Sequence, residues 1–203
     1  MGLPELENLA WENNRVIALA ILVALAVVPQ SPAVTRMWSL FDRLRTAEAK
    51  SHKGVYEKVS FRLSEAEVND YLVQSLKIQP RPGLESVNVK FFPSNYTSTF
   101  TVINFDAVEK WRPGTIPMLL RPVLTGSKAV WIDLRFSADS GLGTFSIEKA
   151  YFQGIRLPAI LVQKVIEIVA ARQPEHYDTS KAVPLPFGLK KLWTTRKTLA
   201  GEN

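Results

Sequence analysis

No cysteine occurs among the 203 residues, which excludes disulfides, thiolate metal sites and the stapled extracellular mini-protein scaffolds. Histidine is nearly as scarce. The only two, His52 and His176, lie in the polar stretches Lys50-Ser51-His52-Lys53 and Pro174-Glu175-His176-Tyr177, where a solvated loop or helix-end residue is the ordinary reading. No G-x-S-x-G elbow, P-loop, dinucleotide-binding glycine fingerprint or H-E-x-x-H is present. The carboxylate pairs Glu65/Glu67 and Asp133/Asp139 have the spacing of surface residues, and nothing marks one member as acid and the other as base. Asn95-Tyr96-Thr97 matches the glycosylation acceptor pattern, which is frequent by chance. The expectation is a non-enzymatic protein with no catalytic residue, metal site or cofactor.

What the chain does contain is one long apolar run. Val16 to Val28 is thirteen residues without a polar side chain, with Arg15 before it and Pro29 after it. As a helix it covers about 20 Å at ~1.5 Å per residue, short of the ~30 Å hydrocarbon core. That length fits the apolar region of a secretory signal, and Ser31-Pro32-Ala33 puts small residues where a signal peptidase reads them. Extension through Val34 gives nineteen mostly apolar residues, the alternative of an uncleaved anchor. Residues 1–34 are therefore read as a signal peptide or hydrophobic anchor helix that takes the chain to a membrane. Flanking charge argues against export: Glu5, Glu7 and Glu12 precede the run, while Arg36, Arg43, Arg45, Lys50 and Lys53 follow it, and basic flanks tend to stay cytoplasmic. On length and the small-residue site, the reading is the cell envelope, inner-membrane-anchored or periplasmic.

From Val34 onward 24 basic side chains face 16 acidic ones, a net charge of +8. That balance favours anionic partners, lipid head groups and nucleic acid among them. The basic residues are scattered, however (Lys128, Arg135, Lys149, Arg156, Lys164, Arg172), and no aromatic-plus-basic strand motif of the RNA-binding kind occurs. No nucleic-acid partner is expected. Only Lys190-Lys191 with Arg196-Lys197 is dense, and it reads as a solvated tail or a site for anionic lipid.

Periodicity divides the rest. Residues 35–54 form an amphipathic helical connector, with Trp38, Phe41, Leu44 and Ala47 at three-residue intervals; it either lies near the bilayer surface or packs on the domain. Residues 55–203 form a single α+β domain. Val59, Phe61 and Leu63 alternate as a short strand. Ser64 and Glu67 then give a capping box for a helix that presents Val68, Tyr71, Leu72, Ser75 and Leu76 and stops before Pro80-Arg81-Pro82-Gly83. Four strands follow, joined by short turns and so antiparallel: Val87, Val89 and Phe91; Phe100 and Val102 opposite Thr99, Thr101 and Ile103; 129–136; and 144–152, with Phe145, Ile147 and Tyr151 on one side. Trp111 to Pro122 is an excursion or lid-like loop. A last helix, 158–171, is apolar over most of its circumference, so it is deeply buried or faces an apolar ligand. An extended segment runs from Val183 to Leu199.

Three stretches carry a family resemblance. Phe61-Arg62-Leu63-Ser64-Glu65-Ala66-Glu67-Val68-Asn69-Asp70-Tyr71-Leu72 resembles the "strand, then LS-x-x-x-[IVL]-N-x-x-[LI]" opening of small bacterial envelope proteins. Tyr151-Phe152-Gln153-Gly154-Ile155-Arg156-Leu157-Pro158 resembles their strand, turn, L-P, helix step. Pro184-Leu185-Pro186-Phe187-Gly188-Leu189 resembles the entry to their last strand. These are the YpmS-like and LmeA-like proteins, distant relatives of tubular (TULIP-type) lipid-binding domains, and the resemblance spans about 60 to 195. It implies a curved antiparallel sheet wrapped around a long apolar helix, with an apolar groove for acyl chains.

The functional expectation is then binding, or transfer, of a membrane lipid or other apolar ligand. Val87, Val89, Phe91, Phe100 and Val102 of the sheet and Leu161, Val165 and Ile168 of the last helix would line the groove, with basic residues near its mouth. The alternative is a scaffold or accessory subunit of an envelope complex, anchored on a protein partner by Trp111, Trp131 and Trp193.

Overall fold

The computed structural model describes residues 31–116, 118–158, 160–162 and 181–203. The apolar run Val16 to Val28, His176, and most of the helix expected over 158–171, including Val165 and Ile168, lie outside them. Among the described residues no helix is long and apolar enough to cross a membrane.

The first helix, α1 (Pro32–Ser51), is started by Ser31, whose side chain caps the Val34 N–H, with proline following in the first turn. Its apolar residues recur every three or four positions, and Val34, Met37, Leu40, Phe41, Leu44 and Ala47 are all buried in the core. Of the two placements that the spacing left open, the structure has the packed one. Val34, only 1 % exposed, belongs to that core.

Strand β1 (Ser60–Ser64) leads into α2 (Glu65–Ile78), where the expected capping box is formed in full. Strands β2 (Leu84–Phe92), β3 (Tyr96–Asn104), β4 (Ser127–Asp139), β5 (Leu142–Phe152) and β6 (Ile155–Arg156) make an antiparallel sheet in chain order. The short β7 (Val183–Pro184) pairs with the start of β5. The β2–β3 turn is the three residues Pro93-Ser94-Asn95, with Ser94 and Asn95 at positive φ, the left-handed backbone that short hairpin loops use. A second antiparallel sheet has the order β1-β9-β8, from β8 (Lys191–Thr195) and β9 (Thr198–Glu202). The fold is thus α+β with antiparallel sheets, and α1 and α2 contribute to one core with strands of both sheets.

Three expectations are corrected. Tyr151 does not share a face with Phe145 and Ile147, because the β4–β5 register shifts between Asp133 and Leu134. This bulge adds one residue to β5 and turns Tyr151 to the opposite face, beside Trp131. The dense C-terminal basic cluster is not a solvated tail: Lys191 lies in β8, and Lys190 to Lys197 belong to a hairpin whose β9 arm is the central strand of the smaller sheet. Ahead of the excursion from Trp111 to Pro122 the chain forms a further helix, α3 (Phe105–Trp111), capped by Asn104. It then turns back on itself, with the Glu109 carboxylate accepting the N–H groups of Gly114 and Ile116 and pairing with Arg121. Finally, Asp133 is not a surface carboxylate but is 9 % exposed.

Candidate functional site

An apolar cavity of about 180 Å³ lies among α1, both sheets and the β7–β8 connection. Helix α1 supplies Met37, Leu40, Phe41 and Leu44, and the smaller sheet supplies Phe61, Leu63, Leu192 and Leu199. From the larger sheet come Val89 and Phe91, then Thr97 and Thr99, then Leu134, Phe136 and Phe145, with Leu185 and Phe187 closing one end. Most of the α1 and small-sheet lining is buried, whereas Thr99, Leu134, Phe136 and Phe145 keep part of their surface accessible. The cavity is closed on the α1 side and more open along β3 to β5.

Strand register decides which side chains reach it. Val87, Val89 and Phe91 stand opposite Thr101, Thr99 and Thr97. Residues directly opposite each other share a sheet face, so the threonine face of β3 is the inner one. Phe100 and Val102 point to the other side, where Phe100 meets Trp131 edge-on with ring centroids 6.2 Å apart. The structure therefore brings Val89 and Phe91 to the cavity and Val87 into the adjoining core. It takes Phe100 and Val102 away. Leu161 is 40 % exposed and is not part of the lining. The contribution of α1, four side chains, is not among the expected lining. Its heptad-like apolar spacing was visible, but the helix was assigned to a connector.

Helix α2 holds the cavity wall in place. The Asn69 side chain accepts the Val89 N–H and donates to the Val89 carbonyl, and the Glu65 carboxylate accepts the Phe91 N–H. Phe91 accepts in turn from the Lys197 N–H of the β8–β9 turn. β2 is an edge strand, so these bonds satisfy backbone groups that would otherwise be open.

An aromatic cluster adjoins the cavity at Phe41 and Phe187. Trp38 and Tyr71 complete it, and Phe41 stacks on Phe187 at 5.8 Å. Among the described residues the buried indole nitrogen of Trp38 has no hydrogen-bond partner, while the buried Tyr71 hydroxyl lies beside Ser75. The Arg45 guanidinium lies over the Phe187 ring, 5.8 Å from its centroid.

On the outer face of the larger sheet, Asp133 accepts from the Trp131 indole at 2.8 Å. Burial pushes its carboxyl up, but hydrogen bonds from Ser98, Tyr96 and Trp131 and the charge of Lys149 outweigh this and hold it below the usual range. The same contact acts on Tyr96. Burial first, then the bond to Asp133 and the charges of Asp133 and Glu148, push its phenol up to about 12. Of the tryptophans considered as partner anchors, Trp111 is 59 % and Trp131 41 % exposed, and Trp193 is half-buried. Among the described residues no group of three His, Cys, Asp or Glu is placed to hold a metal ion.

Comparisons with family models, with curated proteins and with solved structures find no match for this chain.

Proposed function

We propose that this chain is a non-enzymatic binding protein of the bacterial cell envelope that takes an apolar ligand, with an acyl chain as the class that fits best. The apolar cavity carries the reading. An apolar cavity of ~150 Å³ takes a benzene-sized molecule, so one of about 180 Å³ accommodates roughly seven carbon atoms, the terminal part of an acyl chain. Left empty, a void of this size forfeits on the order of 4 kcal/mol at ~24 cal/mol per Å³. Filling it with six methylenes at ~0.8 kcal/mol each recovers about 5 kcal/mol. Arg45, over the ring of the lining residue Phe187, suits a ligand that ends in a carboxylate. The resemblance to YpmS-like and LmeA-like proteins supports the same ligand class, and with it a curved sheet around an apolar helix. The apolar leader supports a place at the membrane.

Purified protein would be examined by native mass spectrometry and titrated with a fluorescent fatty acid. Co-purified lipid or saturable micromolar uptake is expected; lipid-free protein that takes up no probe sinks the proposal. A second reading, an accessory subunit without a ligand of its own, draws on the exposed Trp111 and the Phe100–Trp131 pair. A stoichiometric protein partner recovered from membranes, with no lipid, would favour it.

A further inference from the structure

Two connections meet at one end of the larger sheet, and both project apolar side chains. The register sets Asn104 of β3 opposite Ser127 of β4, and Val130 of β4 opposite Phe152 of β5. The β3–β4 connection and the β5–β6 turn therefore leave the sheet at the same end. There Phe105 meets Phe152 at 6.1 Å, and the Gln153 N–H bonds the Ala129 carbonyl at 2.8 Å. The opposite end, with the β2–β3 and β4–β5 turns, is bonded to the smaller sheet through Asn95 to Thr194 and Gly141 to Lys190.

Trp111, Met118 and Val123 of the first connection and Ile155 of the second are 58–83 % exposed. Single exposed apolar residues are ordinary, but four on two adjoining connections form a patch. The backbone beneath them is built: the Glu109 carboxylate accepts the Gly114 and Ile116 N–H groups, the Thr115 hydroxyl donates to the Arg112 carbonyl at 2.7 Å, and the Ile116 side chain is buried. These contacts hold the apolar side chains out in water, where their hydration is unfavourable until something covers them. The charge around them is one-sided. Residues 105–128 and 153–158 carry Lys110, Arg112, Arg121, Lys128 and Arg156 against Asp106 and Glu109, a net +3. Arg81 and Glu85, on the neighbouring side at the start of β2, cancel.

We propose that this end of the larger sheet docks on an anionic bilayer. Trp111, Met118, Val123 and Ile155 enter the head-group layer, where tryptophan and apolar side chains are favoured. Lys110, Arg112, Lys128 and Arg156 meet the lipid phosphates, and each basic residue close to such a surface strengthens binding by roughly fivefold. Protruding side chains on two separate connections suit a surface that yields around them, and the net +3 selects an anionic one. The contact goes beyond the ligand reading and stands without it, since none of the four apolar residues lines the cavity.

The chain has no cysteine, so one can be placed at will in the full-length protein. Met118→Cys and Ile155→Cys report on the patch. Val55→Cys, exposed beside the end of α1, is the control. Each is labelled with an environment-sensitive fluorophore and reconstituted with phosphatidylglycerol–phosphatidylethanolamine vesicles that contain a nitroxide lipid. Quenching is local, so a leader in the bilayer does not by itself produce it at these sites. Strong quenching is expected at Met118 and Ile155 and little at Val55. It is expected to fall by about fivefold or more on phosphatidylcholine vesicles, or when Lys110→Gln and Arg112→Gln are added. Quenching at the patch no stronger than at Val55, or unchanged by lipid charge and by the two substitutions, overturns the proposal. So does a Met118 fluorophore already shielded before vesicles are added, which would mean that a second copy covers the patch. Fatty-acid uptake by the same preparation separates the two readings. Docking without uptake sinks only the ligand; uptake without docking sinks only this contact.

Discussion

Asn69 and Val89 exchange a pair of hydrogen bonds: the Val89 N–H donates to Asn69 Oδ1 at 2.7 Å, and Asn69 Nδ2 donates to the Val89 carbonyl at 2.8 Å. A side-chain amide thus takes the place of a neighbouring strand along the open edge of β2. One helical turn earlier, Glu65 accepts from Phe91 at 2.8 Å. Both strand residues point their side chains into the cavity, so these bonds set the position of its wall. Asn69→Ala leaves a backbone donor and an acceptor without partners, at a cost of about 2–3 kcal/mol. Urea unfolding is expected to show a lower midpoint with an unchanged slope. An unchanged midpoint would mean that water replaces the amide at no cost.

The cavity reading turns on Thr99, which faces Val89 across the β2–β3 pair and Ile132 across the β3–β4 pair. Thr99→Phe puts a ring into the space between α1 and the sheet on a strand that favours aromatic residues. Thr99→Val keeps the shape of the wild type. Probe uptake is expected to fall at least tenfold in the phenylalanine variant and to persist in the valine variant. Cavity filling is expected to raise stability by about 0.5–2 kcal/mol. A folded Thr99→Phe protein that binds as well as wild type would place the ligand elsewhere.

How far the sequence reveals this arrangement depends on the range of each signal. The α2 cap was legible because a capping box is local, four residues read in order, and the β2–β3 turn was legible for the same reason. The faces of β3 were not. Alternation separates Phe100 and Val102 from Thr99 and Thr101 but does not say which pair faces inward, and hydrophobicity favours the wrong one. Only the register that pairs Val89 with Thr99 decides it, and register is a long-range property. The bulge in β5 was hidden likewise, since one extra residue leaves no compositional mark. α1 was visible as an amphipathic helix, yet its partners lie far along the chain: Tyr71 in α2, Phe187 beside β8, Phe91 in β2. The buried Asp133 could not be told from an exposed one, because its partners Ser98 and Tyr96 sit on the neighbouring strand.

Glu67 sets the acid limit of the helix pair. Burial alone would raise its carboxyl, but the Ser64 N–H, the Ser64 hydroxyl and Arg36 outweigh that and hold it below the ordinary glutamate value of 4.5. A carboxyl whose pKa is depressed on folding stabilises the protein above its unfolded value, and that contribution is lost as pH falls through the folded value. Glu67→Gln is expected to lose about 0.5–1 kcal/mol at pH 7, and the difference from wild type shrinks as pH falls through the folded value. Urea titrations at pH 7, 5 and 3 would show the two curves converging. Parallel curves would mean that the glutamate charge adds nothing to the cap.

At the alkaline end, Tyr96 and Asp133 act on each other across β3 and β4. The Tyr96 phenol is pushed up to about 12 by burial first and then by the bond to Asp133 and its charge. Asp133→Asn removes the charge and leaves the burial, so the Tyr96 pKa is expected to fall but to stay above the ordinary value of 10. The phenolate absorbance of the two proteins, each corrected by its Tyr96→Phe counterpart, isolates this one tyrosine. The sign for stability follows from linkage: a raised folded pKa gives a contribution fully present below about pH 10 and lost as pH rises through the folded value. Wild type should therefore lose stability between about pH 10 and 12 more steeply than Asp133→Asn. A Tyr96 titration unmoved by the substitution would leave burial and the Glu148 charge as the cause and remove Asp133 from the alkaline transition.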